Sequence, residues 1–178
     1  MRDLAQKWTP VPHWAGARIE TDGLSVTTVS VGEQTLVSGD LEAWSHMSGL
    51  AAPGVGAFGL AQGQAYTVRL ARDRLLAVSA APLPHARGWH SSGFGVTGMN
   101  GGLHVFEVSG PDALRLIERG TSLAPGDRSR SASVPFAGAS VILYRHGEAL
   151  RLHVERPLAP FLWRWMEVTT AAMPGARQ

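Results

Sequence analysis

The chain has 178 residues, of which 44% are apolar and 17% are charged, and its formal net charge is +2. It contains no cysteine, which excludes disulfides, thiolate metal sites and a cysteine nucleophile. A chain of this length buries roughly 70% of its unfolded surface, enough for one domain or for two small halves that share a core.

The pI of about 9.7 reflects arginine usage, since Lys7 is the only lysine and little titrates between neutral pH and pH ~10. A large positive field is therefore not expected, and neither is a nucleic-acid partner. No run approaches the ~18 apolar residues of a membrane helix, and residues 1–16 lack the features of a signal peptide. We expect a soluble, cytoplasmic protein with no membrane partner.

The first part of the chain predicts four strands. Residues 24–38 are rich in valine and threonine and are interrupted at Gly32, which predicts two β segments joined by a turn. A glycine-rich loop is expected at 51–64. Alternating apolar residues then predict a hairpin with strands at 66–71 and 75–79.

A short helix is predicted between the second of these strands and the loop. Asp40 is a candidate N-cap and Gly49 a candidate stop. The apolar side of this helix is formed by Leu41, Trp44 and Met47.

The second part repeats this order after a loop at 80–102. Strands are predicted at 103–108, 141–144 and 150–155, with a loop at 121–133 before the last two. In the last strand the predicted inward residues are Leu150, Leu152 and Val154, and the predicted outward ones are Arg151, His153 and Glu155.

Two further helices are predicted in this part. Pro111 is preset for the first turn of one helix, which ends at Gly120. Its predicted buried residues are Ala113, Leu114, Leu116 and Ile117. A last helix is predicted from Pro157, with Leu158, Phe161, Leu162 and Trp165 on its buried side.

The order strand, helix, loop, strand, strand thus occurs twice. It predicts an α+β fold with antiparallel sheet, built of two similar halves at 21–80 and 103–170. Residues 1–20 are predicted to form an extended arm and residues 171–178 a flexible tail.

Catalytic patterns are weak in this sequence. Gly54–Gly59 and Gly93–Gly98 both match G-x-G-x-x-G, but neither has the strand before it and the helix after it that a dinucleotide site requires. The seven histidines lack the spacing of metal ligands, although His85 and His90, which flank Trp89, are the hardest to dismiss. We therefore predict no catalytic, cofactor-binding or metal-binding residue.

Partner contacts are a better prediction. The arm carries Trp8 and Trp14 with Pro10 and Pro12, and its indoles either fold back on this domain or anchor in another chain. The basic loop 128–131 is a solvated connection or docks an acidic partner surface. The predicted interface residues are Trp8, Pro10, Pro12, Trp14, Trp89, Arg128 and Arg130.

Two segments resemble the gamma subunit of heterotetrameric sarcosine oxidase. The run VFEVSGPDAL at 105–114, followed by ERGTSL at 118–123, is similar to that family's strand, S-G-P-[DA]-A turn and short helix. Residues 150–165 resemble its last strand and tryptophan-containing helix. The S-G-P-x-A type of segment also occurs in the folate-binding domains of aminomethyltransferases, whose fold the gamma subunit shares.

The resemblance implies a small, cofactor-free subunit that supports assembly of an amine oxidase or dehydrogenase. The larger partner subunits would carry FAD, FMN and NAD and pass a one-carbon unit to tetrahydrofolate. The substrate would be sarcosine, a related amine or an imino acid. The alternatives are a stand-alone folate-binding protein of the aminomethyltransferase type and an arginine-based nucleic-acid binder.

Overall fold

The computed structural model describes residues 10–83, 87–127 and 129–173. Within these residues the chain forms twelve strands and three α-helices. In chain order they are β1 Arg18–Thr21, β2 Leu24–Thr28, β3 Glu33–Gly39, α1 Leu41–Ser48, β4 Leu60–Ala61, β5 Ala65–Ala71, β6 Arg74–Ser79, β7 Gly88–His90, β8 Phe94–Gly98, β9 Leu103–Ser109, α2 Ala113–Gly120, β10 Ser133–Phe136, β11 Ala139–His146, β12 Ala149–Glu155 and α3 Ala159–Ala171.

The strands form two sheets. One has seven strands, in the order β1-β2-β9-β12-β11-β10, with the short β4 added in parallel to β11. The other has five strands in the order β5-β6-β3-β8-β7, all antiparallel. The two segments predicted at 24–38 therefore do not form a hairpin, because β2 pairs with β9 while β3 pairs with β6 and β8.

The two sheets pack face to face between helices. Apolar residues on the outer face of the seven-stranded sheet pack under α2 and α3, and those on the outer face of the five-stranded sheet pack under α1, where Trp44 is fully buried. The contact between the sheets includes Tyr66, Val68, Leu76, Val78, Leu103 and Tyr144. The result is a mixed α/β fold with antiparallel sheets, as the sequence predicts.

The predicted ends of α1 are confirmed. The side chain of Asp40 accepts a hydrogen bond from the Ala43 amide at 2.9 Å, which satisfies one of the free N–H groups of the first turn. Gly49 ends the helix in the left-handed conformation with φ of 72°. Met47, however, is exposed rather than part of the apolar side.

Several loop predictions were incomplete. The predicted loop 80–102 contains the hairpin β7–β8, and the predicted loop 51–64 contains β4. β10 was also missed. β4 and β7 have only two and three residues, which is too short for a periodic pattern to be recognised.

The predicted orientation of β12 was wrong at two positions. Arg151 was placed on a solvent face, but its side chain is only 15% exposed and donates to Tyr66 of the second sheet. His153 was placed on a solvent face, but it is fully buried, because the second sheet covers the side of β12 that carries it. Leu150, Leu152 and Val154 are buried against the helices, as predicted.

The predicted buried side of α3 was also partly wrong. A 3-10 turn at Arg156–Leu158 precedes α3, so Leu158 does not follow its helical phase. Leu158 and Phe161 are exposed, as is Leu114 of α2. The buried residues of α3 are Ala159, Leu162, Trp163, Met166 and Thr170.

Candidate functional site

The N-terminal arm folds back onto the domain at Trp14. Its ring lies 4.3 Å from the ring of His104 and 5.9 Å from the rings of Phe106 and Trp163, measured between centroids. The carbonyl of Trp14 also accepts a hydrogen bond from the Thr28 hydroxyl at 2.8 Å. This indole therefore packs on its own sheet and α3, and a contact of Trp14 with a partner stays a prediction.

The rest of the arm is less constrained. Pro10 is exposed and Pro12 is half-buried, while Trp8 lies outside the described residues. Val11, between the two prolines, is 67% exposed. A contact of Pro10 and Pro12 with a partner stays a prediction.

Trp89 is the most exposed large apolar side chain among the described residues, at 74% of its surface. It lies on β7, the edge strand of the five-stranded sheet. His90 beside it stacks on Phe94 with ring centroids 4.6 Å apart, and His85 lies outside the described residues. An exposed indole at a sheet edge suits an interface anchor, and the assignment of Trp89 to an interface stays a prediction.

Arg130 lines a cleft together with two arginines that the sequence analysis missed. The cleft has a volume of about 620 Å³, and the charged residues that line it are Arg69, Arg72 and Arg130. We call it the arginine cleft. Arg128 lies outside the described residues. Arg69 and Arg130 are far apart in sequence, so no local pattern could have grouped them.

The walls of the arginine cleft are loops 53–56 and 129–131, which meet over the end of β5. The Val55 amide donates to Thr67 O at 3.0 Å, and the Ala57 amide donates to Ser131 O at 3.1 Å. The Ser131 hydroxyl donates to Leu70 O at 2.7 Å. Gly56 permits the approach, since a Cβ there would lie 2.0 Å from Ser129 O. The first G-x-G-x-x-G match thus has a packing role here.

A second cleft, of about 750 Å³, continues from the first past Pro53, Arg69 and Arg72. It also carries Asp40, Glu42 and Asp73. We call it the mixed-charge cleft. The two clefts together form a groove that is basic at one end and acidic at the other.

A buried hydrogen-bonded chain crosses the contact between the sheets. Arg151 Nη1 donates to Tyr66 Oη at 2.9 Å, and the Tyr66 and Tyr144 hydroxyls lie 2.8 Å apart. Tyr144 Oη is 2.7 Å from His153 Nε2, and His153 Nδ1 is 2.7 Å from Gln34 Oε1. Because Gln34 Oε1 only accepts, His153 donates from Nδ1, and its neutral ring accepts at Nε2 from the Tyr144 hydroxyl. The Tyr144 hydroxyl then accepts from the Tyr66 hydroxyl.

Burial keeps His153 and Tyr144 of this hydrogen-bonded chain uncharged. Burial, followed by the positive charge of Arg151, lowers the pKa of His153 to about 3. Burial, followed by the neighbouring Tyr66, raises the pKa of Tyr144 above its ordinary value. Arg151 is paired with Glu107 at 3.0 Å. The hydrogen-bonded chain therefore joins the two sheets through neutral polar groups and ends on the Arg151–Glu107 ion pair.

His104 is the other histidine with a shifted pKa. Burial, followed by the charge of Arg156, lowers its pKa. Its Nε2 is buried and has no hydrogen-bond partner in the structure. The ring is covered by Trp14, so the neutral form is favoured.

Two features are absent from the residues that the structure describes. No group of three or more His, Cys, Asp or Glu side chains there is arranged to hold a metal ion. In the same residues, no helix is long and apolar enough to cross a membrane.

Comparison with known proteins identifies the fold. A chain of heterotetrameric sarcosine oxidase from Corynebacterium sp. U-96, solved with pyrrole 2-carboxylate, superimposes with a TM-score of 0.66 at 14% identity. The match covers 90% of this chain and 91% of that one.

A second structure, the glycine cleavage system aminomethyltransferase T from Bartonella henselae, matches with a TM-score of 0.51 at 14% identity. The match covers 81% of this chain and 45% of that one, so this chain spans about half of the aminomethyltransferase. No family model matches the sequence, and no curated protein matches it. The chain shares the fold of both structures, which agrees with the resemblance noted in the sequence.

Proposed function

We propose that this chain is a non-catalytic, gamma-type subunit of a heteromeric, flavin-dependent amine oxidase or dehydrogenase of the sarcosine oxidase type. In this role it supports assembly of the larger catalytic subunits. FAD, FMN, NAD and tetrahydrofolate belong to those partners, and the complex is cytoplasmic. The substrate is sarcosine, a related amine or an imino acid.

The fold match over nearly the whole length of both chains carries this proposal. It covers 91% of a chain from a heterotetrameric sarcosine oxidase but only 45% of the aminomethyltransferase. The match thus spans nearly all of one chain of a multi-chain enzyme. The two sequence segments that resemble the gamma subunit form β9–α2 and β12–α3 of this fold.

Exposed apolar side chains support a partner contact. Phe161 and Val168 of α3 are 46% and 53% exposed, and Trp89 is 74% exposed. Such side chains lower the solubility of an isolated chain and are buried when a partner covers them. Phe161 and Val168, together with Leu114 of α2 and Leu158 of the turn before α3, make these helices a candidate interface, and Trp89 marks a separate one at the sheet edge.

The proposal includes two similar halves. The strand before α1 pairs with the second strand of the next hairpin, β6, and the strand before α2 pairs in the same way with β12. Gly39 ends β3 and Gly110 follows directly after β9, and both have positive φ, of 107° and 99°. The following amides are bound alike, Asp40 N to Gly93 O at 3.0 Å and Asp112 N to Gly23 O at 2.9 Å.

Co-purification tests the proposed role. The tagged chain is expressed in its native cell, and the purified material is examined for size and for the visible absorbance of bound flavin, which this chain alone does not have. We expect larger subunits with bound flavin and sarcosine-dependent reduction of that flavin. A well-folded monomer that recovers no flavoprotein contradicts the proposal.

The second candidate, a stand-alone folate-binding protein of the aminomethyltransferase type, is favoured by the second fold match. Titration calorimetry of the isolated full chain with tetrahydrofolate distinguishes the two. Saturable binding by this chain alone favours the second candidate, whereas binding only by the assembled complex favours the first.

A further inference from the structure

The arginine cleft is a built feature that the proposed subunit role does not by itself explain. We infer that it binds an acidic segment of another polypeptide, whose carboxylates pair with Arg69, Arg72 and Arg130. The assignment of this segment to a larger subunit rests on the proposed function. The recognition of an acidic polypeptide by the cleft is independent of that function.

The charges in the cleft have one sign. The charged residues that line it are three arginines, whereas the whole chain has a net charge of only +2. Three like charges around one cleft repel one another and are stabilised by an occupant of opposite sign. Guanidinium groups match carboxylates in geometry because they present paired N–H donors.

One of the arginines is oriented before any occupant arrives. The Arg69 guanidinium donates from Nε to Ala71 O and from Nη2 to Arg72 O, at the turn between β5 and β6. These bonds leave its other N–H groups available. Since Arg69 is held by the protein, little side-chain entropy is lost when a carboxylate binds.

Hydrogen bonds to β5 fix the two loops that form the walls of the cleft. Loop 129–131 is fixed to β5 by the Ala132 amide, which donates to Arg69 O at 2.7 Å, and by the Ser131 hydroxyl. Loop 53–56 is fixed by the Arg69 amide, which donates to Val55 O at 2.8 Å. Arg130 and Arg69 are thus presented from two loops and a strand that are bonded to one another.

The shape favours a polypeptide over a small anion. Arg72 and Arg130 are exposed, so the cleft lacks the enclosed, converging donors of a small-anion pocket. The groove continues into the mixed-charge cleft, where Asp40, Glu42 and Asp73 would repel the part of a long polyanion, such as nucleic acid, that extends beyond the arginine cleft. A segment with carboxylates at one end and a basic or neutral residue at the other fits the whole groove.

Binding of defined peptides to the full chain tests the inference directly. A fluorescein-labelled hexaglutamate peptide is titrated by anisotropy, with hexalysine, inorganic phosphate and a single-stranded oligonucleotide in parallel. The cleft double variant, Arg72→Glu/Arg130→Glu, is compared with a helix double variant, Arg119→Glu/Arg164→Glu. The second makes the same change in net charge at exposed residues of α2 and α3.

We expect hexaglutamate to bind the wild type, and we expect this binding to weaken with added salt. The cleft double variant should raise the Kd about tenfold or more, and the helix double variant about twofold or less. Equal weakening in both double variants, no hexaglutamate binding up to ~1 mM, or tighter binding of phosphate or of the oligonucleotide each overturns the inference.

The same variants in the native cell separate the two proposals. If the wild type recovers flavoprotein and the cleft double variant recovers as much, the assignment of the acidic segment to a larger subunit fails while the proposed function stands. If no flavoprotein is recovered but hexaglutamate binds at the cleft, the proposed function fails and the inference stands. A photo-crosslinker at position 130 should join an acidic segment of a larger subunit; crosslinks only to non-acidic segments also overturn the inference.

Discussion

The chain of hydrogen bonds from Arg151 to Gln34 is the polar part of an otherwise apolar contact between the sheets. His153 at its centre is fully buried, and both ring nitrogens have partners at 2.7 Å. A fully satisfied buried network fixes the relative position of its elements, whereas removing one member leaves the others unpaired. The register of the two sheets therefore depends on a few polar atoms.

The lowered pKa of His153 predicts a loss of stability in acid. The unfolded histidine takes up a proton near its ordinary pKa of 6.5, but the folded one does so only near 3. The contribution of neutral His153 to the free energy of unfolding is thus complete above pH 6.5. It falls by about 1.4 kcal/mol per pH unit as the pH drops from 6.5 towards 3. Urea unfolding at pH 7.5, 6, 5 and 4 measures this slope.

The variant His153→Gln should flatten the slope while lowering stability at pH 7.5 by about 1–3 kcal/mol. The control Tyr144→Phe also breaks the network but keeps the imidazole, so its stability should fall with acid as steeply as that of the wild type. An unchanged slope in His153→Gln would show that another group governs the acid response.

At the scale of elements, two glycines shape the turns into the helices. Gly110 links β9 to α2 with φ of 99°, and a Cβ there would lie 2.4 Å from Gly23 O. Gly39 holds the matching place before α1, where a Cβ would lie 2.4 Å from Gly93 O. Each helix therefore starts where its strand passes close to the turn of a neighbouring hairpin, which requires the absence of a side chain.

Gly110→Ala should destabilise the protein by about 2 kcal/mol or more, because alanine is strained at this φ and its Cβ collides with a backbone carbonyl. Gly101→Ala is the control, since a Cβ there meets no atom within 4 Å. Thermal unfolding followed by circular dichroism compares the two variants. A loss below ~0.5 kcal/mol in Gly110→Ala would mean that the turn relaxes freely.

At the scale of the whole molecule, two tryptophans serve different contacts. Trp14 is packed against His104, Phe106 and Trp163 inside the domain. Trp89 stands out from the edge strand β7 at 74% exposure. The first contributes to the folding of the chain, and the second is available to a partner.

Trp14→Ala should lower the free energy of unfolding by about 2 kcal/mol, since it removes a half-buried indole from an aromatic cluster. Trp89→Ala should change it by less than ~0.5 kcal/mol but reduce recovery of the larger subunits about tenfold or more. Unfolding curves and co-purification from equal amounts of chain measure the two effects. Full recovery with Trp89→Ala removes this residue from the interface.

Local patterns were sufficient where one residue or one short period decides the structure. α1 begins after Asp40 and ends at Gly49 as predicted, because a cap depends on the neighbouring backbone alone. The hairpin β5–β6 follows from alternating residues and a tight turn. The sequence segments at β9–α2 and β12–α3 also indicated the fold that the structural comparisons share.

The sequence by itself determined both ends of α1, the end of α2 at Gly120, the hairpin β5–β6 and the mixed α/β class. Only the tertiary structure decided which faces are covered. His153 is buried because a second sheet lies over β12, and Arg69 and Arg130 line one cleft because two loops close over β5. The partners in each case, His153 with Gln34 and Arg69 with Arg130, lie more than sixty positions apart. Periodicity reports the environment of neighbours along the chain, whereas burial and charge clustering depend on which distant strands and loops come together.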